Sequence, residues 1–82
     1  MTADDVLDSA RAMIKARQSN YGDPEEMFEE IARRWGQCED RTTVAMKMAE
    51  LKMARLSYQW DEDSAIDAIA YLAFAVMFAS ED

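Results

Sequence analysis

The chain has 82 residues, enough for one domain, and a domain this short buries only about 60% of the surface its unfolded form exposes. Its net charge of −8, from 17 acidic and 9 basic residues, argues against direct binding of a nucleic-acid backbone. With no histidine and one cysteine, Cys38, it excludes an intrachain disulfide, a zinc cluster and any mechanism that needs a histidine base.

The lone thiol fits a reducing compartment, so a cytoplasmic location is expected. Met1 is followed by Thr2-Ala3-Asp4-Asp5 and not by a basic and then apolar run, so no signal peptide is predicted. An acidic surface of this kind suits solubility, cation binding or mimicry of nucleic acid.

Helical spacing of Val6, Leu7, Ala10, Met13, Ile14 and Arg17 predicts a first helix over about residues 3–17. Thr2 and Asp5 are placed for a capping box, and Lys15 and Arg17 complement the negative end of the dipole. Residues 18–23 break the pattern, and Gly22 can take a positive φ. A second helix starts at Asp23 as N-cap, with Pro24 in the first helical position and Glu26 as third residue of a capping box. Phe28, Ile31 and Trp35 form its apolar stripe, and Gly36 is placed to end it in the left-handed conformation.

Residues 37–41 read as a short polar loop around Cys38, which has no visible partner. A third helix runs from Thr42 or Thr43 to Tyr58, and a fourth from Glu62 to Ser80 with Asp61 as its cap. The fold class expected is all-α: a four-helix bundle-like domain joined by short loops. Of the seven methionines, Met46, Met48 and Met53 read as core or interface and not as metal ligands. Trp35 and Trp60 each end a helix and are expected to lid the core.

The fourth helix is the most informative. Residues 65–79 are apolar apart from Asp67 and the hydroxyl of Tyr71. At 15 residues this run is shorter than the roughly 20 a membrane span needs, so it reads as a buried helix. Three short neighbours can hardly cover a helix that is apolar all round, which predicts a homodimer or larger assembly. Asp67 must lie in or near the core, where a carboxylate is costly unless paired or bound to metal.

Asp63, Asp67 and Tyr71 share one stripe of that helix. The third helix offers Lys47, Glu50, Lys52 and Arg55 among apolar neighbours, so at least one of these charges is forced inward. Arg55 shares a face with Leu51 and Met48, and an Arg against Asp67 makes a structural ion pair. Beside a carboxylate cluster, Lys52 and Arg55 would instead suit a phosphate held through a divalent cation. On the second helix, Glu26 pairs with Glu29 or Glu30 on one face. Acidic groups from two helices are what Mg²⁺ takes while it holds substrate phosphates, although carboxylates in a first helical turn also serve simply to complement the dipole.

The segment Asn20-Tyr21-Gly22-Asp23-Pro24-Glu25-Glu26, with Phe28, Ile31, Ala32 and Trp35 after it, resembles a family of small phage and prophage proteins. So do Val44, Ala45, Met48, Leu51-Lys52-Met53-Ala54-Arg55-Leu56, Asp63, Ser64, Asp67 and Tyr71. That family looks like a compact relative of the MazG-type all-α nucleoside triphosphate pyrophosphohydrolases. The resemblance implies Mg²⁺ as cofactor, held by Glu26, Glu29 or Glu30, Asp63 and Asp67, with Glu26, Glu30, Asp63 and Asp67 in catalysis. It also implies a nucleotide near Lys52 and Arg55, with Tyr21 or Tyr71 at the sugar or base. The second acidic pair is Asp63-x-x-x-Asp67, where those enzymes carry ExxD. The other reading is a non-catalytic acidic helical interaction protein, for instance a phage-encoded inhibitor of a host protein.

Overall fold

A computed structural model describes residues 1–36 and 40–81, with the backbone alone at residues 20 and 21. It contains four helices, α1 (Ala3–Tyr21), α2 (Pro24–Trp35), α3 (Arg41–Tyr58) and α4 (Glu62–Ser80), and no strand among the described residues. The expected all-α architecture is the observed one. Most helix ends follow from local chemistry. Thr2 and Asp5 form the reciprocal box at the start of α1, and Gly36 closes α2 at φ +73°. Asp61 caps α4 by accepting from the Asp63 amide and the Ser64 hydroxyl.

Four local expectations are corrected. α1 runs one turn beyond Arg17 to Tyr21, because nothing from Gln18 onward breaks a helix before Gly22, at φ +86°. α3 begins at Arg41, since the Asp40 carboxylate accepts from the Thr43 amide at 2.8 Å and so starts the helix directly after itself. The Asp23 carboxylate accepts from the nearer Glu25 amide, and Glu26 is exposed. Neither tryptophan is a lid over the core. Trp60, 72% exposed, lies in the α3–α4 turn, and Trp35, 43% exposed, carries the Lys47 ammonium over its ring. Cys38 falls outside the described residues.

α3 and α4 make the principal contact, joined by residues 59–61 as an antiparallel pair; α1 packs on α4 and α2 on α3. The core is aromatic. Phe28 of α2 sits edge-on to Phe78 and Tyr71 of α4 and tilted against Phe74, with Val44, Ala45 and Ala49 of α3 as small partners. Phe28, Val44 and Phe78 are almost wholly buried. Each such side chain contributes about 1.5–3 kcal/mol relative to an exposed position. The alternation of large rings on α4 with alanines on α3 is what lets these two helices approach closely.

α4 is not buried all round. Phe74, Ala75 and Phe78 face inward, but Leu72 and Val76 are 46% and 69% exposed. At helical spacing these two share the outer side with exposed Ala73 and Ala79 and with half-buried Ala65 and Ile69, which leaves an uncharged stripe of about four turns. By length and composition α4 is the one helix among the described residues that could cross a membrane, and 44% of its most apolar 18 residues are buried against the rest of the fold.

Candidate functional site

Asp67 is the polar centre of the fold. It sits on the inward side of α4, 8% exposed, where its two neighbours Ile66 and Ala68 are also buried. Each oxygen has its own cation. The Arg17 guanidinium, from α1, donates through Nη2 to Oδ1 at 3.0 Å. The Lys52 ammonium, from α3, lies 2.8 Å from Oδ2. Arg17 also donates through Nη1 to the Tyr71 hydroxyl at 3.2 Å, and its guanidinium lies 5.6 Å from the centre of the Tyr71 ring. Three helices are therefore tied to one carboxylate, and the helical offset of four residues puts Tyr71 beside Asp67 to complete the arrangement.

A second ion centre lies where α2, α3 and the end of α4 meet. Arg41 sits over the Phe78 ring at 5.3 Å. It reaches Glu29 Oε1 at 3.1 Å, Glu25 Oε2 at 3.7 Å and Glu81 Oε2 at 2.6 Å. Crowding three acids onto one cation has a consequence for protonation. A hydrogen bond with Glu81 pushes the Glu25 carboxyl above its ordinary range, burial and the Glu81 charge add to this, and Arg41 opposes it. Glu30, in contrast, is held below the usual carboxylate range by hydrogen bonds from Arg33 and Arg34, one helical turn along.

The carboxylates implied by the resemblance thus go to different places. Asp67 faces Arg17 and Lys52; Glu29 faces Arg41; Glu30 faces its own helix's arginines; Glu26 and Asp63 are exposed. Among the described residues no group of three or more acidic or cysteine side chains is placed to hold a metal ion. In this arrangement the residues do not fit a Mg²⁺ site, because they do not converge on one point and Asp67, Glu29 and Glu30 are turned to the chain's own cations.

Of the residues implied for the nucleotide, Lys52 and Tyr71 come together around Asp67. Arg55 does not: it is exposed and lies by the α3–α4 turn, where a hollow of about 460 Å³ is lined by Arg55, Tyr58, Gln59, Trp60, Asp61 and Ser64. The side chain of Tyr21 lies outside the described residues. Of the methionines expected in core or interface, Met48 packs on the core, and Met46 and Met53 are 48% and 58% exposed.

Two residues that organise these centres are not expected from sequence as ion partners: Arg17 reads as the last member of the α1 stripe at a helix end, and Arg41 as part of a loop. A signal for Arg17 exists: it continues the apolar spacing of Ala10, Met13 and Ile14, so its position points inward. No local signal marks Arg41, whose partners lie on two other helices.

The model of one protein family, described as a domain of unknown function, DUF6378, matches residues 5–79. No curated protein and no solved structure is significantly similar to the chain.

Proposed function

The chain belongs to the DUF6378 family, and from that premise we propose that it is a non-catalytic helical interaction protein that pairs with a second copy through α4. The observation that carries this reading is the uncovered stripe of α4. Leu72 and Val76 stand exposed beside Ala73 and Ala79, on a chain in which 32% of residues are charged. Two copies of net charge −8 repel each other overall, and this stripe lets them meet without setting charge against charge. Two large residues beside two alanines are also self-complementary across a two-fold axis. The paired molecule presents its acidic remainder to a basic protein partner, and a host protein is the natural candidate if the chain is phage-encoded.

The Mg²⁺-dependent nucleotide reading, including pyrophosphohydrolysis, is the less supported of the two. It needs Glu26, Glu29 or Glu30, Asp63 and Asp67 to face one point, and most of them are engaged by Arg17, Lys52, Arg33, Arg34 and Arg41. Sedimentation velocity tests the proposal. The chain should run as a dimer at micromolar concentration, and Val76→Lys should convert it to a folded monomer of 9.4 kDa. A wild-type chain that sediments as a monomer overturns the reading.

A further inference from the structure

Between α1 and α2, over the α3–α4 pair, the surface opens into a cleft of about 330 Å³ lined by Arg17, Met27, Phe28, Ile31, Met48 and Tyr71. Its volume is at the lower end of small-ligand cavities, which run from about 300 Å³ upward. The lining is apolar and adaptable. Two methionine thioethers, Ile31 and the rings of Phe28 and Tyr71, which meet edge-on at 6.1 Å, supply the apolar lining. The polar groups are the Arg17 guanidinium and the Tyr71 hydroxyl. Few polar groups in an apolar hollow is the usual composition of a site that orients one small molecule.

The charge at its wall is out of balance. Arg17 and Lys52 both pair with the single carboxylate of Asp67, so the centre carries one positive charge in excess, inside a chain of net −8. The Arg17 side chain is 31% exposed, against 11% for Asp67, so the excess cation is the member of the centre that solvent reaches. Arg17 has five N–H donors, of which two groups go to Asp67 and Tyr71. Tyr71 accepts from Arg17, which leaves its own O–H to donate.

From the cleft, its apolar lining and the single excess cation, we propose that this is a binding site for a flat aromatic monoanion, such as an arene carboxylate. The ring occupies the space between Met27, Ile31 and Met48, and the carboxylate accepts from Arg17 and the Tyr71 hydroxyl. A nucleoside triphosphate does not match, because it brings several negative charges to a site with one to offer and asks an apolar wall to solvate the rest. The site is separate from the α4 stripe and does not depend on pairing through it.

The test is a titration of the unmodified chain with naphthalene-2-carboxylate and, separately, with its neutral carboxamide. It is read by NMR of carbon-labelled methionine methyls. The methyls of Met27 and Met48 line the cleft, and those of Met46 and Met53, on the exposed side of α3, are internal controls. The carboxylate should shift Met27 and Met48 saturably, leave Met46 and Met53 unmoved, and bind about tenfold more tightly than the amide, the effect of one charge-assisted hydrogen bond. In Arg17→Gln, where Lys52 and Asp67 are left in balance, that preference should vanish. No saturable shift, equal shifts at all the methyls, or equal affinity for acid and amide in the unmodified chain each overturn the proposal, whether or not the variant folds.

Discussion

Asp67 and Arg41 anchor opposite ends of α4 with the same components and exchanged charges. At Asp67 one carboxylate receives two cations beside the Tyr71 ring; at Arg41 one cation receives three carboxylates over the Phe78 ring. Burial separates them. The Asp67 and Lys52 side chains are 11% and 16% exposed, whereas Glu25 and Glu29 around Arg41 are 39% and 52% exposed. At the first centre the Asp67 carboxylate and the Lys52 ammonium must be satisfied largely from within the chain, because water reaches them poorly. At the second the carboxylates around Arg41 stay in contact with water, which replaces much of what a departing partner provided. The same residue types therefore fix the fold at one end of α4 and only trim it at the other.

The largest expected effect follows from removing the buried carboxylate. Asp67→Ala strands Arg17 and Lys52 and should cost about 3–5 kcal/mol in chemical denaturation, against less for Lys52→Met, in which Asp67 keeps Arg17. If Asp67→Ala costs no more than an exposed substitution, the contrast between the two centres collapses. Arg41→Gln is the matching change at the other end. It should cost about 1 kcal/mol or less, and the difference from wild type should shrink in high salt.

The smallest effect is a pH dependence. The Glu25 carboxyl is raised in the folded state, so the stability it contributes is present below its ordinary range, near 4.5, and is lost as pH rises through its folded value. Glu25→Gln keeps a donor toward Glu81 at every pH. Melting curves of the variant should therefore converge with wild type in acid and lie above it at neutral pH. Glu30, Asp40 and Asp61, each lowered by hydrogen bonds, act in the opposite sense: their contribution is present at neutral pH and is lost on acidification. A wild type that stays above Glu25→Gln at neutral pH would remove Glu25 as the proton-linked group.

Much of the architecture was legible because its causes are local. Thr2, Asp23, Gly36 and Asp61 end their helices through contacts within a few residues. Asp67 was legible as a buried group because it is the one charge in the apolar run 65–79, and one inward charge from α3 was expected, the place that Lys52 takes while Arg55 stays exposed. Arg17 was not legible as its partner, since the pair spans 50 residues and depends on how α1 packs on α4. Nor could the sequence say which face of α4 stays uncovered. Leu72 and Val76 are as apolar as Phe74 and Phe78, so periodicity carries no information there, and tertiary packing alone decides. The acidic site inferred from spacing fails as a geometric cluster for the related reason that most of its carboxylates have a nearer cation.

Asp67, Glu29 and Glu30 are neutralised by the chain's own cations and not by a metal–nucleotide complex. Thermal melting with Mg²⁺ across a panel of nucleoside triphosphates tests this directly. A ligand present at 100 times its dissociation constant adds about 2.7 kcal/mol, which for a domain of this size raises Tm by roughly 10 °C or more. Neither Mg²⁺ alone nor any Mg²⁺–nucleotide pair should shift the melt. A rise of that size that disappears in Asp67→Asn would contradict this and restore the nucleotide reading.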